Sequence, residues 1–151
     1  MTKKYDYIIW DWNGTLFNDL QASINATNYL LEEAALPLLT LERYHKLFRF
    51  PVKEYYADLG FDFSQKSYEV LAEEYTKHLI IENQKVSLHN GAYPVLSKLY
   101  SLGYKQLIVS AAQKDILIDR LEYLGIKKFF SEVLALQDCF AEGKIVLAVQ
   151  W

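Results

Sequence analysis

The chain has 151 residues and a net charge of −3, and 52% of its residues are hydrophobic. These values indicate one compact domain, or one domain with a large insertion, and they exclude a disordered chain. The basic residues are scattered, so no nucleic-acid partner is predicted. A single cysteine excludes an internal disulfide. Without a signal-peptide pattern or an apolar run of membrane-spanning length, the sequence predicts a cytoplasmic protein with no membrane partner.

The first half of the chain is predicted to form one short strand and then only helices. Residues 5–10, YDYIIW, form an apolar run that predicts a buried strand. The polar pair Asn18-Asp19 is typical of a helix N-cap. Helical patterns follow over residues 20–36, 41–48 after a Thr40 cap, 51–60, and 64–81 after a Ser64 cap.

From residue 89 onward, helices and strands alternate. The predicted elements are a helix over 93–102, a strand over 104–109 that stops at Ser110, a helix over 113–124, a strand over 133–136 and a last helix from about Lys144. Strands that alternate with helices predict an α/β fold with a parallel sheet and right-handed crossovers. Residues 18–88 are too many for a simple crossover, so they are predicted to form a separate helical subdomain. Residues 1–17 and 89–151 then form the α/β core.

The first strand ends in a carboxylate that is followed by a turn sequence. Asp11 closes the apolar run, and Asn13-Gly14 comes two residues later. Asn-Gly between apolar runs also favours a β-hairpin. However, the segment after the turn is too short for a second hairpin strand before Asn18. The alternative is a strand that delivers Asp11 to the carboxyl edge of the sheet, where ligands bind in open α/β folds.

Three polar residues are predicted to meet at that edge. Asp11 follows the first strand, Ser110 closes the second, and Lys144 comes shortly after the third. An anionic nucleophile, a hydroxyl and an ammonium group suit phosphoryl transfer, in which Asp11 attacks phosphorus and forms an aspartyl-phosphate. The backbone N–H groups of residues 12–14, the Ser110 hydroxyl and Lys144 would bind the phosphoryl oxygens. A hard cation, Mg²⁺, is expected as cofactor.

These residues resemble the motifs of the haloacid dehalogenase-like (HAD) superfamily. Residues 11–16, DWNGTL, are similar to its first motif, Asp-x-Asp-Gly-Thr-Leu; LIVSAAQ, 107–113, resembles the second, and Gly143-Lys144 the third. HNGAYPVLSKLYSLGY, from His89, resembles the Gly-led helix that precedes the second-motif strand in phosphoglycolate phosphatase-like members, and LGIKKFFSEVLALQD resembles the helix exit and the third strand. The resemblance implies a Rossmann-like parallel sheet, with residues 18–88 as an inserted helical cap.

The resemblance also implies roles for single residues. Asp11 would be the nucleophile and a Mg²⁺ ligand, and the backbone carbonyl of Asn13 would be a second ligand. Thr15 would support the loop and the phosphate site, in which Ser110 and Lys144 bind phosphate. The implied activity is Mg²⁺-dependent hydrolysis of a small phosphorylated metabolite.

The first motif departs from the family pattern at one position. The second Asp of the motif is Asn13 here, although the family uses that acid to protonate the leaving oxygen and then to activate water. An amide does neither, so slow turnover, a preference for aryl or acyl phosphates and a long-lived phospho-Asp11 are expected. Since Asn-Gly is prone to deamidation, conversion of Asn13 to Asp in some molecules is a further hypothesis.

A second departure concerns the family's fourth motif, a further strand with acidic metal ligands, which has no counterpart after Lys144. The strand over residues 5–10 is then expected at the edge of the sheet, where self-association or a partner chain could complete it. Asp115 and Asp138 are the remaining candidate carboxylate ligands for a metal. The alternatives are that the sequence is a fragment of a longer protein, or that the protein is a catalytically degenerate family member that binds phosphate or a partner.

Overall fold

The computed structural model describes residues 5–140 of the chain. In this part, three β-strands and six α-helices follow one another in the order β1 (Tyr7–Trp10), α1 (Leu20–Glu33), α2 (Leu41–Leu47), α3 (Val52–Leu59), α4 (Tyr68–Asn83), α5 (Ala92–Ser101), β2 (Lys105–Gln113), α6 (Lys114–Tyr123) and β3 (Glu132–Leu136), with a short 3-10 turn at Lys127–Phe129. The helix expected near Lys144 lies outside the described residues. Within residues 5–140, no helix has the length and apolar character needed to cross a membrane.

The three described strands form one parallel sheet in the order β1-β2-β3. Tyr7 pairs with Lys105, and Leu107 pairs with Glu132. The α/β prediction is therefore confirmed. The carboxyl ends of all three strands lie on the same edge of the sheet, because parallel strands share a direction. Fully buried aliphatic side chains from the sheet, α5 and α6 fill its core: Leu96, Leu107, Ile108, Leu117 and Leu121.

The prediction of a buried first strand is wrong for half of its residues. Tyr7 is 42% exposed and Ile9 is 55% exposed, whereas Ile8 and Trp10 are half-buried. These side chains are exposed because β1 is the outermost of the described strands, with β2 adjoining it on one side. The expected edge location of β1 therefore holds within residues 5–140. Association of another chain with this strand stays a prediction.

A buried glutamine joins β1, β2 and α5. Gln106 is fully buried. Its Oε1 accepts a hydrogen bond from Trp10 Nε1 at 3.0 Å, and its Nε2 donates to the Leu96 carbonyl at 3.0 Å and to the Phe129 carbonyl at 3.4 Å. The side chain thus satisfies polar groups of neighbouring elements and ties them to one strand position.

We expect Gln106→Leu to lower the free energy of unfolding by about 2–3 kcal/mol, because the half-buried Trp10 indole N–H and two backbone carbonyls lose a partner. Urea denaturation followed by circular dichroism measures this effect. Gln137→Leu is the matched control, since Gln137 is exposed. Equal unfolding free energies for the two variants would contradict the assigned role of Gln106.

The described residues form two compact units. One unit comprises residues 5–18 and 87–138 and holds the sheet, and the other comprises residues 19–86 with Cys139 and Phe140. The second unit contains α1 to α4, and α1 packs against α4 within it. Its core consists of aliphatic and aromatic side chains: Ile24, Leu30, Leu31, Leu39, Tyr55, Tyr56, Leu59, Phe61, Tyr68, Leu71 and Ala72.

Two helix boundaries in this second unit differ from the sequence prediction. The first helix ends at Glu33 instead of residue 36, and Ala35 then takes a positive φ of 53°. The cap of α4 is Ser67, whose hydroxyl accepts from the Val70 N–H, and not Ser64. The reason is local, because the Ser64 N–H donates to the Asp62 carboxylate at 2.9 Å and forms a turn there. The Thr40 cap of α2 is confirmed.

Candidate active site

The residues after β1 form a tight turn that closes on itself through backbone hydrogen bonds. The Trp12 carbonyl accepts from the N–H groups of Thr15, Leu16 and Phe17 at 3.0–3.2 Å, and the Gly14 N–H donates to the Phe17 carbonyl at 2.9 Å. Gly14 has φ of +70°, a conformation that favours glycine. β1 pairs with β2 in parallel, so Asn13-Gly14 does not connect two antiparallel strands. The Asn-Gly sequence forms this turn instead, and the hairpin alternative is wrong.

The turn holds both carboxylate oxygens of Asp11. Oδ1 accepts from the Trp12 N–H at 2.9 Å, and Oδ2 accepts from the Thr15 hydroxyl at 3.4 Å. Asp11 is half-buried. These two hydrogen bonds restrict the rotation of the Asp11 carboxylate. The arrangement therefore presents an oriented anionic oxygen at the carboxyl edge of the sheet.

Ser110 lies at the same edge and contacts the turn. Its fully buried hydroxyl donates to Asn13 Oδ1 at 3.4 Å and accepts from the Ala112 N–H at 3.0 Å. The prediction that the strand stops at Ser110 is wrong, since β2 continues to Gln113. The pairing with β3 is irregular between Ser110 and Gln113. At this irregularity, the Ala112 N–H is hydrogen-bonded to the Ser110 side chain.

The amide side chain of Asn13 contacts Ser110, and its chemistry limits the role that Asn13 can take. The amide oxygen of Asn13 faces the Ser110 hydroxyl. An amide is neutral and gives up no proton at ordinary pH, so it can donate a hydrogen bond but cannot act as a general acid. The structure thus brings Asp11, Asn13, Thr15 and Ser110 together within one unit. Their catalytic roles stay predictions.

The other predicted site residues fall into two groups. Lys144 lies outside the described residues. Asp115 and Asp138 are described, but within residues 5–140 no three His, Cys, Asp or Glu side chains come together in a way that could hold a metal ion. The described part of the chain therefore offers oxygen ligands of the first motif, and no carboxylate cluster around them.

Three polar residues of the expected cap are held by neighbours within the helical unit: Arg49, Lys53 and Tyr56. Tyr56 is 2% exposed, and burial raises the pKa of its phenol well above the usual range, so it is a core residue. Arg49 forms ion pairs with Glu54 and Asp58 at 3.3 and 3.0 Å. Lys53 lies over the rings of Phe63 and Tyr68. All three side chains therefore have structural contacts within the helical unit.

Sequence reasoning missed a stack of side chains beside the turn. The Trp12 and Phe17 rings are stacked with centroids 4.8 Å apart and planes 10° apart. The Arg120 guanidinium lies 5.2 Å from the centroid of Phe17. Burial lowers the pKa of Arg120. The sequence shows only the apolar character of residues 12 and 17, because their contact with α6 depends on the tertiary fold.

The turn geometry leads us to expect slow deamidation of Asn13. Succinimide formation needs the Gly14 nitrogen to attack the Asn13 side chain, but in the fold this N–H donates to the Phe17 carbonyl. We expect the folded chain to deamidate at least about fivefold more slowly than a peptide of the same sequence, the factor that corresponds to one hydrogen bond. Intact mass and peptide mapping over time measure both rates. Equal rates would show that the turn gives no protection.

Comparison with protein families identifies the class to which this chain belongs. The model of the haloacid dehalogenase-like hydrolase family matches residues 8–148. Because this match spans most of the sequence, the chain belongs to the haloacid dehalogenase-like hydrolase family. The resemblance seen in the motifs is therefore confirmed. A comparison with curated proteins finds no match.

Solved structures share the fold of this chain at low sequence identity. A haloacid dehalogenase-like hydrolase from Streptococcus pneumoniae has a TM-score of 0.78 and 21% identity, over 96% of this chain and 67% of that one. A predicted phosphoglycolate phosphatase from Haemophilus somnus has a TM-score of 0.70 and 18% identity, over 92% and 65%. A HAD-hydrolase from Bacillus subtilis bound to magnesium has a TM-score of 0.61 and 18% identity, over 88% and 66%. The chain thus spans about two thirds of the length of these proteins.

Proposed function

We propose that this protein is a Mg²⁺-dependent phosphatase-type hydrolase of small phosphorylated metabolites, with Asp11 as the nucleophile. The observation that carries the proposal is the oriented Asp11 carboxylate, which the Trp12 N–H and the Thr15 hydroxyl hold at the carboxyl edge of a parallel sheet. The Ser110 hydroxyl lies beside the same turn. A fixed anionic oxygen next to hydrogen-bond donors suits nucleophilic attack on phosphorus.

The proposed reaction has two steps. A carboxylate oxygen of Asp11 forms a bond to phosphorus while the bond from phosphorus to the leaving oxygen breaks, which gives phospho-Asp11. Water then attacks the phosphorus, inorganic phosphate departs, and the Asp11 carboxylate returns. The Ser110 hydroxyl and Lys144 bind the phosphoryl oxygens and stabilise their charge. The Trp12 and Gly14 N–H groups, which the sequence also suggested as phosphate donors, are used by Asp11 Oδ1 and the Phe17 carbonyl.

The chemistry of the donor set fits magnesium. The ligands proposed are the Asp11 carboxylate and the Asn13 backbone carbonyl, both of which are oxygen donors of the kind that this hard cation takes. Bound there, the cation would offset the repulsion between an anionic nucleophile and an anionic phosphate. Since the described residues supply no carboxylate cluster, we expect weak affinity and several water ligands.

The Asn13 amide determines which substrates are proposed. It cannot protonate the leaving oxygen, so the leaving group must depart as an anion or take its proton from water. Aryl and acyl phosphates, whose leaving groups are weak bases, are therefore the expected good substrates. The amide also cannot activate the second-step water, which favours persistence of phospho-Asp11. Phosphoglycolate phosphatase-like chemistry on an alkyl phosphate is expected to be slow.

The helical unit, residues 19–86, is proposed to act as the cap that selects the substrate. Its buried aromatic core and its ion pairs at Arg49 support a self-contained subdomain. A screen of small phosphorylated metabolites, with Asp11→Asn as the inactive reference, would identify the one that the cap admits.

Hydrolysis of an aryl phosphate by the purified chain tests the proposal. We expect release of the phenolate to depend on added Mg²⁺ and to stop when a chelator is added. A second candidate function, phosphate binding without turnover, is favoured by the Asn13 amide. Saturable binding of inorganic phosphate without hydrolysis of any aryl or acyl phosphate would support that second function and overturn the first.

A further inference from the structure

A guanidinium group and three aromatic rings form a continuous stack beside the turn, which we call the Arg120 stack and which consists of Trp12, Phe17, Arg120 and Tyr123. The Trp12 and Phe17 rings are parallel to within 10° at 4.8 Å. The guanidinium carbon of Arg120 lies 5.2 Å from the Phe17 centroid and 4.7 Å from the Tyr123 centroid. The cation thus contacts two rings, and cation–π attraction is favourable at these distances.

The burial of the stack indicates that the positive charge is retained at a cost. Trp12 and Phe17 are buried, Arg120 is half-buried, and Tyr123 is exposed. Burial lowers the pKa of Arg120, because the charged guanidinium loses water there. The contacts with the Phe17 and Tyr123 rings offset part of this loss and hold the guanidinium beside Phe17.

The stack is joined directly to the turn that holds Asp11. Its two inner members are the two ends of that turn, since the Phe17 N–H donates to the Trp12 carbonyl and the Phe17 carbonyl accepts from the Gly14 N–H. The Trp12 N–H in turn donates to Asp11 Oδ1. A shift of the Phe17 ring would therefore change the hydrogen bonds that orient Asp11 and place Asn13 next to Ser110.

We propose that Arg120 is a positioning residue that, by clamping the Phe17 ring, holds the turn from Asp11 to Phe17 in the conformation that presents Asp11 to a phosphoryl group. Arg120 acts through Phe17 and does not touch the phosphoryl group. The consequence for catalysis rests on the proposed function, whereas the effect on the turn does not. The two effects can therefore be measured separately.

Two substitutions at Arg120 distinguish the effect of its charge from the effect of its size. Arg120→Met keeps a long flexible side chain without charge, and Arg120→Lys keeps the cation and can still lie over a ring. Arg43→Met is the matched control, because Arg43 donates to the carbonyls of Pro37, Leu38 and Leu59 in the helical unit and not to the turn. Circular dichroism and unfolding midpoints establish that each variant is folded.

The deamidation rate of Asn13 reports the state of the turn without any need for activity. We expect Arg120→Met to raise this rate about fivefold in the folded protein, while Arg120→Lys and Arg43→Met stay within about twofold of the parent chain. With an aryl phosphate, we expect Arg120→Met to lower kcat about tenfold with KM within about twofold, and Arg120→Lys to recover most of kcat. A purely structural role would not distinguish Met from Lys at equal stability.

The outcomes separate this inference from the proposed function. Equal deamidation rates in Arg120→Met and the parent chain would overturn the inference, as would equal effects of Met and Lys. Faster deamidation in Arg120→Met alone would support it, even if the parent chain hydrolyses nothing and the proposed function fails. If Arg120→Met does not fold, Tyr123→Leu removes the exposed outer ring instead. In that variant, a raised deamidation rate supports the clamp and an unchanged rate overturns it.

Discussion

Replacing Asp11 with Asn is expected to lower Mg²⁺-dependent hydrolysis of an aryl phosphate by at least about 10³-fold, because an amide oxygen is too weak a nucleophile to attack phosphorus. The substitution keeps the size of the side chain, and its oxygen can still accept from the Trp12 N–H. The turn is therefore expected to persist. Steady-state release of the phenolate, corrected for the uncatalysed rate, measures the loss.

Asp119→Asn is the matched control for this substitution. Asp119 is an exposed carboxylate of α6, so its replacement makes the same chemical change outside the proposed site. We expect its activity to stay within about twofold of the parent chain. Asp11→Asn with the activity of the control would exclude Asp11 as the nucleophile.

The second large effect is expected at Asn13. Asn13→Asp would supply the missing general acid and base, and we expect it to raise turnover of alkyl phosphates by roughly 10²- to 10⁴-fold. The gain should be smaller for aryl phosphates, because a phenolate departs without protonation. The Ser110 hydroxyl, which donates to Asn13 Oδ1, can donate equally well to a carboxylate oxygen.

The ratio of alkyl to aryl phosphate turnover in the parent chain, Asn13→Asp and Asn18→Asp measures this effect. Asn18→Asp adds the same charge at an exposed position at the end of the turn. We expect that control to keep the ratio of the parent chain. If the parent chain hydrolyses alkyl phosphates as fast as Asn13→Asp does, the amide is no obstacle and the account of the leaving group is wrong.

Much of the fold follows from local patterns in the sequence. The alternation of apolar strands and helices after residue 89 predicts a parallel sheet, and β2 pairs in parallel with both β1 and β3. Thr40 caps α2 as its spacing indicates. Ser64 and Ser67 are equally good caps by composition, and the choice between them depends on the Asp62 carboxylate, which takes the Ser64 N–H.

The candidate site is predictable in part for the same reason. The carboxyl ends of parallel strands meet at one edge, so the approach of Ser110 to the turn after Asp11 follows from the strand order. Two features do not follow from local patterns. The extension of β2 to Gln113 depends on its irregular pairing with β3. The stacking of Arg120 on Phe17 depends on how α6 packs beside the turn, and an arginine on a helix is ordinarily solvated.

Asp11 is tested most directly as the nucleophile by looking for a phosphoryl group on its side chain. The chain is incubated with Mg²⁺ and an acyl phosphate, quenched in acid, and studied by intact mass and peptide mapping. We expect a phosphorylated species whose modification maps to Asp11, is removed by hydroxylamine, and is missing from Asp11→Asn. Unmodified protein while the acyl phosphate is hydrolysed, or a phosphoryl group on another residue, would contradict Asp11 as the nucleophile.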